Sequence, residues 1–171
     1  EHQIYFIKKG HVKIGSKDDG EFVIKQALGK GNIFGESKIT TGDESIPYIA
    51  IAMTDAVICF ISHQQLEQMI KQYPKLHNSI FKLAGLKFRK IERRLEDIIY
   101  KDAETRIKDF IVDYVKENGK ESSGKIIAGN IFSHSDIAKL TSTSRQTVNN
   151  TISNLRKKQF LDYDRKSIAL K

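Results

Sequence analysis

The sequence predicts an α+β chain in three parts: a β-rich N-terminal segment, a long amphipathic helix, and a C-terminal helix–turn–helix followed by a basic hairpin. Three observations carry that expectation. Short runs of β-branched and aromatic residues alternate with glycine turns as far as about Ser62. Apolar residues then recur at spacings of three and four between Leu76 and Ile98. Residues 133–155 read as two short helices joined by a run of small hydroxyl residues.

In the first part, Ile4-Tyr5-Phe6-Ile7, Val12-Lys13-Ile14, Phe22-Val23-Ile24 and Ile49-Ala50-Ile51-Ala52 are strand-like runs. Gly10, Asp18-Asp19-Gly20, Gly29-Lys30-Gly31 and Gly42-Asp43 mark the turns between them. Residues 56–61 are continuously apolar and too short for a helix, which predicts a buried strand. Strands this short, with turns this frequent, suggest a sandwich, barrel or roll.

The second part opens with a helix from His63 to Gln72 that Tyr73-Pro74 ends, since proline cannot continue it. From Lys75 a second helix of about seven turns carries an apolar stripe of Leu76, Ile80, Leu83, Ile91, Leu95 and Ile98, interrupted at Lys87. Such a helix outreaches a small domain, so the stripe is expected to be a dimer seam. Packing on its own β segment is the alternative.

In the third part Asp102 is the expected N-cap of a helix whose Ile107, Phe110, Ile111, Tyr114 and Val115 share one face, ended by Asn118-Gly119. Glu121-Ser122-Ser123-Gly124 reads as a polar loop, and Gly129-Asn130 as the turn of a hairpin. Ser133-His134-Ser135-Asp136 is a capping box with Asp in the place of Glu. Thr141-Ser142-Thr143-Ser144 closes that helix and caps the next, whose buried face is Val148, Ile152 and Leu155.

The opposite face of that last helix carries Arg145, Gln146, Asn149 and Asn150. Arg matches guanine, and Gln or Asn matches adenine, in the donor–acceptor pattern of the major groove. These four are the candidate base contacts. His134, Ser144, Thr147, Arg156 and Lys157 suit phosphate, where contact positions without reading sequence. Asp164-Arg165-Lys166 is the tip of a hairpin that reads as a wing. Taken bare, the same pattern also describes a helical hairpin with a solvated polar face.

Composition points the same way. The 171 residues carry a net charge of +8. From residue 133 onward there are eight Lys or Arg against three Asp, so five of those charges lie in the last 39 residues. Double-stranded DNA is the expected partner of such a basic end. No apolar run approaches the roughly 20 residues that span a bilayer, so no membrane partner is expected, and a single Cys59 fits a reducing cytoplasm. No nucleophile–base constellation, P-loop or metal-ligand spacing appears, so neither an enzyme nor a metal site is expected. The chain opens on a strand without an initiator Met, and an N-terminal piece is expected to precede it.

With these motifs in place, the whole chain resembles the Crp/Fnr family of bacterial transcription regulators. Ser144-Arg145-Gln146-Thr147-Val148 resembles the family's S-R-E-T-V recognition signature. Residues 102–107 resemble the segment that begins its DNA-binding domain, and Gly31-Asn32-Ile33-Phe34-Gly35-Glu36 resembles the turn before its effector cassette. The resemblance implies an incomplete cyclic-nucleotide-binding-type β-roll at 1–74, a dimerisation helix and hinge at 75–101, and a winged helix-turn-helix at 102–171. It further implies a homodimer on pseudo-palindromic operators that contacts RNA polymerase.

Phe34, Gly35, Glu36, Ser37, Ile46 and Pro47 are the effector-pocket candidates it points to. Two departures matter. The arginine that grips a cyclic phosphate in cAMP-binding members falls on Ile46, and the neighbouring hydroxyl on Pro47, so cAMP is not the expected effector. The signature's Glu is Gln146, and the Arg four residues on is Asn150. The effector's identity stays open, haem on one of the five histidines included. So does the alternative of a cyclic-nucleotide- or haem-binding regulatory module acting through protein contacts.

Overall fold

A computed structural model of the protein describes residues 3–35, 49–122 and 124–171. Among the described residues the chain forms two compact units, Glu1–Leu95 and Glu96–Lys171, and the division falls inside a long helix.

The first unit is built from antiparallel strands β1 (Gln3–Lys9), β2 (Val12–Asp18), β3 (Glu21–Leu28), β4 (Ile33–Phe34), β5 (Ile49–Ala52) and β6 (Val57–Ser62). They form two three-stranded sheets in the orders β4-β1-β6 and β3-β2-β5. Ile7, Val12, Ile14, Leu28 and Phe34 make one core cluster. Removing such side chains from water contributes about 1.5–3 kcal/mol each. On the other side, Ile4, Ile33 and Leu66 form a second cluster that Ile61, Ile70, Leu76 and Ile80 cover.

Helix α1 (His63–Gln72) starts on a complete capping box between Ser62 and Gln65 and ends at Tyr73, as its sequence implies. Helix α2 (Lys75–Tyr100) has the expected length.

Two expectations for this unit need correcting. Strand β6 exists, but it is not buried: Val57 and Phe60 are 50% and 60% exposed. It is the edge of its sheet, paired only with β1 among the described strands. An apolar run signals a strand with two covered faces only when other elements supply the cover. Cys59, expected in the core, is correspondingly only half-buried.

The second correction concerns α2, which carries two apolar rows rather than one. Leu76 and Ile80 pack on the chain's own second cluster. Arg94, on the same side, donates from Nη1 to the Lys25 carbonyl at 2.7 Å. The interruption at Lys87 therefore belongs to this inward row. About 100° around the helix runs a second row, His77, Phe81, Ala84, Phe88, Ile91, Leu95 and Ile98, spaced 4-3-4-3-4-3. In the single chain Phe81 and Phe88 are 65% and 61% exposed, and Ile91, Leu95 and Ile98 are exposed with them.

The second unit follows in the order α3 (Ala103–Asn118), β7 (Lys120–Ser122), β8 (Lys125–Gly129), α4 (His134–Thr141), α5 (Arg145–Lys157), β9 (Leu161–Tyr163) and β10 (Ser167–Leu170). Its sheet runs β7-β8-β10-β9, all antiparallel neighbours. Ile107, Val115, Ile137, Val148 and Leu161 are fully buried and join the three helices to the sheet. Phe132 stands edge-on to both Phe110 and Tyr114 at 5.2 and 4.9 Å. The Tyr114 hydroxyl donates to the Gly129 carbonyl at 2.6 Å, and burial pushes its pKa up.

Here the hairpin falls elsewhere than its sequence suggests. Glu121 and Ser122 are strand, not loop, and the β7–β8 turn contains Gly124 at φ 74°. Asn130 is instead a clamp on the last hairpin: its N–H reaches the Lys166 carbonyl and its Nδ2 the Asp164 carbonyl.

Candidate nucleic-acid interface

The interface rests on two capped helices and a hairpin. Ser133 and Asp136 close a reciprocal capping box at the start of α4, which satisfies two amides that would otherwise lack partners. Helix α4 ends at Ser142, whose left-handed backbone (φ 54°, ψ 52°) reverses the chain. Two residues later Ser144 accepts from the Thr147 amide and starts α5.

Arg106 holds this turn from outside. Its guanidinium donates to the carbonyls of Thr141 (2.9 Å), Ser142 (3.1 Å) and Lys101 (2.6 Å). The same Lys101 bridges Asp97 and Asp109, whose hydrogen bonds and charge, Asp109 foremost, raise its pKa. The planar fork of Arg suits such multiple acceptors.

With α5 fixed in this way, its inner face of Val148, Thr151 and Ile152 is buried. Arg145, Gln146, Asn149 and Asn150 are all exposed, so the structure brings the four candidate base contacts onto one open face. Gln146 Nε2 donates to Asn150 Oδ1 at 3.1 Å.

Beside that face runs a shallow groove between α5 and the β9–β10 hairpin, lined by His134, Asn149, Ser153, Arg156, Tyr163 and Arg165 among others. The hairpin tip is shaped by Asp164, whose carboxylate accepts from the amides of Lys166 and Ser167 at 2.6 and 2.8 Å. Those bonds hold its pKa below the ordinary carboxylate range. Arg156 and Arg165 give the groove a positive lining of the kind that follows a phosphate backbone.

Three residues expected to meet phosphate also bond within the protein. His134 Nδ1 is hydrogen-bonded to Asn149 Oδ1, and the ring also lines the groove. The hydroxyls of Ser144 and Thr147 bond each other at 2.8 Å within the cap. Lys157 and Arg156 lie exposed in the last turn of α5, open to an anionic ligand. The structure also places Arg165 in the groove and Arg106 on the turn, two positions that the sequence reading did not single out as site residues.

In the N-terminal unit, Phe34 is buried and stacks on Tyr5 at 4.8 Å. Gly35 has φ 87°, and a Cβ there would stand 2.6 Å from the Gln3 carbonyl, so only glycine fits this turn. Glu36, Ser37, Ile46 and Pro47 lie outside the described residues, as does the turn at Gly42-Asp43. Among the described residues no cluster of metal-binding side chains occurs, and no helix is long and apolar enough to cross a membrane.

Comparisons with known proteins agree with this geometry. The cyclic nucleotide-binding domain profile matches residues 1–73. The global nitrogen regulator of Nostoc sp. is 28% identical over 98% of this chain and 76% of its own. The anaerobic regulatory protein of Bacillus subtilis is 24% identical over 95% of this chain and 68% of its own. Among solved structures, FixK2 from Bradyrhizobium japonicum superimposes with a TM-score of 0.81 at 18% identity, covering 99% of this chain and 83% of that one. A Crp/Fnr-family transcriptional regulator from Thermus thermophilus gives 0.74 at 20% identity, with 99% and 82% covered. The relatives matched along nearly the whole chain are named as regulators, one of them, from Mycobacterium tuberculosis, as a CRP-like global transcriptional regulator. Likeness in sequence and likeness in fold point the same way: residues 1–73 match a cyclic nucleotide-binding domain, and along nearly its whole length the chain is similar to regulators of the Crp/Fnr type.

Proposed function

We propose that this regulator binds pseudo-palindromic operators in double-stranded DNA as a homodimer, reading bases with α5 and gripping phosphate with the groove beside it. The observation that supports this most is the exposed row Arg145, Gln146, Asn149 and Asn150 on a helix whose other face is buried. A recognition helix meets the bases with its N-terminal residues, which are these.

The dimer is proposed to form through the exposed row of α2, Phe81, Ala84, Phe88, Ile91, Leu95 and Ile98, with Leu83 at its margin and Leu76 and Ile80 serving the chain's own core. Half-sites then lie about one helical turn apart, roughly 34 Å. Residues 1–74, 75–101 and 102–171 act as sensor, dimerisation helix with hinge, and DNA-binding domain. RNA polymerase is the expected protein partner and the cytoplasm the expected compartment, both by family.

Competition binding tests the division of labour. Arg145→Ala should cost about 1–3 kcal/mol at the operator and relax preference at one base pair. Changing Arg156 and Lys157 to Ala should weaken binding to all sequences alike and flatten the salt dependence by about one unit for each phosphate left without its cation. Unchanged specificity in Arg145→Ala would exclude α5 as the reading element. Absence of any shift with duplex DNA would favour a module that works through protein contacts.

The sensor is proposed not to use the cyclic-phosphate grip. Taking a phosphate anion out of water without a counter-charge costs several kcal/mol. The sequence offers Ile46 where a guanidinium would stand, and Pro47, which lacks both a hydroxyl and an N–H. Calorimetric titration with cAMP and cGMP should show no binding tighter than about 10 μM, some 7 kcal/mol. Tighter binding would contradict this reading. Purified protein with a haem absorption band would identify the effector class directly.

A further inference from the structure

The passage from α2 to α3 is two residues long, Lys101 and Asp102. A break of this kind between helices is where a chain pivots, because a few φ/ψ angles absorb the whole movement. Here side chains cross it. Lys101 Nζ stands between Asp97 of α2 and Asp109 of α3, at 2.7 and 2.8 Å. The Asp102 carboxylate accepts from the Thr105 amide at 2.7 Å and fixes the start of α3. Arg106 then joins the Lys101 carbonyl to those of Thr141 and Ser142, in the turn that leads into α5. All of these residues belong to the unit Glu96–Lys171, so the last turn of α2 is part of the body that contains the reading helix.

A single exposed ion pair would weigh little, whereas a network of charges holds its geometry better. This ammonium is shared between two helices, and the side chains of Lys101, Asp97 and Asp109 are only 30%, 27% and 31% exposed. Ile98, the last residue of the exposed row on α2, directly follows Asp97 and is itself 43% exposed. The path from that row to α5 runs through Asp97, Lys101, Arg106 and Ser142, each bonded to the next. A dimer that reads two half-sites needs this path to stay constant. One base pair of spacing amounts to about 3.4 Å and about 34° along the duplex. A junction free to turn accepts neighbouring spacings, whereas a bracketed one engages both half-sites at a single spacing.

Resting on the dimeric DNA-reading role proposed above, we propose that Lys101 sets the spacing of the half-sites: by tying α2 to α3 it holds each α5 at one position relative to the dimer seam. Lys101 is here a positioning residue, acting through α5 rather than on a base.

The test starts from the palindrome that the full chain selects from a random pool, remade with one or two base pairs added to or removed from its centre. The unmodified protein should bind the selected spacing about tenfold or more tighter than its neighbours, since a second half-site out of reach contributes no avidity. Lys101→Met keeps the aliphatic stem and loses the charge, and should narrow that preference to about threefold or less. Asp109→Asn cuts the tie to α3 alone and should act likewise. Lys101→Arg still spans two carboxylates and should keep the sharp preference. Affinity for a duplex with one half-site, and the melting temperature, should stay near the parent's in all three variants.

Equal affinity of the unmodified protein for every spacing, or a preference in Lys101→Met as sharp as the parent's, would overturn the inference while leaving the DNA-binding reading intact. So would a loss of single-half-site binding in step with a fall in melting temperature, the mark of a merely structural role. Recovery of no sequence from the pool, or of lone half-sites only, would overturn the dimeric DNA-reading role itself.

Discussion

Replacing Phe88 and Leu95 together with Asp is expected to give monomers by light scattering and to remove operator binding, while the single chain keeps its thermal stability. The two side chains are 61% and 59% exposed in the isolated chain, so a carboxylate there disturbs no packing within it. In a dimer the same positions meet their counterparts. Burial of an aliphatic or aromatic side chain contributes about 1.5–3 kcal/mol, and the double change removes four such side chains from one interface. That loss of about 6–12 kcal/mol is enough to dissociate a dimer of micromolar or nanomolar affinity. The contrasting pair, Leu76→Asp with Ile80→Asp, strikes residues that cover the Ile4, Ile33 and Leu66 cluster. It should lower the stability of the N-terminal unit itself. A dimer that survives the first pair of changes would place the interface elsewhere.

Arg106→Ala is expected to destabilise the DNA-binding unit by about 2–4 kcal/mol. Three carbonyls lose a charged donor at once, those of Lys101, Thr141 and Ser142. Hydrogen bonds to charged groups contribute about 1.5–3 kcal/mol each, discounted here because the side chain is only half-buried. For a unit of this size, 1 kcal/mol corresponds to roughly 4–8 °C, so melting should fall by about 10 °C or more. Arg106→Lys should recover little, since an ammonium cannot span three acceptors in a fork. Because Thr141 and Ser142 form the turn that leads into α5, operator affinity should fall with stability. A melting temperature within about 2 °C of the parent would show that the turn holds itself.

The C-terminal unit is more legible in the sequence than the N-terminal one, and the reason is local chemistry. The capping box at Ser133 and Asp136, the hydroxyl cap at Ser144 and the basic turn at 164–166 act over three or four residues, so the sequence displays them directly. Exposure is different in kind. Residues 56–61 look like a buried strand, yet β6 is an edge among the described strands, because cover is supplied by elements distant in the chain. By spacing alone the stripe on α2 is one row with a fault at Lys87, whereas the folded helix has two rows. Only the position of the Ile4, Ile33 and Leu66 cluster shows which row faces inward. The 4-3 spacing through Phe81 and Phe88 is present in the sequence and points to the second row.

Side-chain pairing across the fold is hidden altogether. His134 and Asn149 are 15 residues apart, and Arg106 reaches 35 residues to Thr141. Asn130 looks like a turn residue beside Gly129, but its amide pins the wing 34 residues away. In each case a polar residue that suits a local motif is used at long range, and periodicity contains no signal for that.

The central claim is that a basic, polar face built on α5 and the neighbouring groove reads a DNA sequence. Fluorescence anisotropy of the full chain with a selected duplex and with its scrambled counterpart, between about 50 and 200 mM salt, tests it most directly. The account predicts that affinity for both duplexes falls linearly on logarithmic axes as salt rises, the mark of phosphate contacts. It also predicts that the selected duplex binds about a thousandfold or more tighter throughout. Equal affinity for the two duplexes across the whole salt range would contradict it.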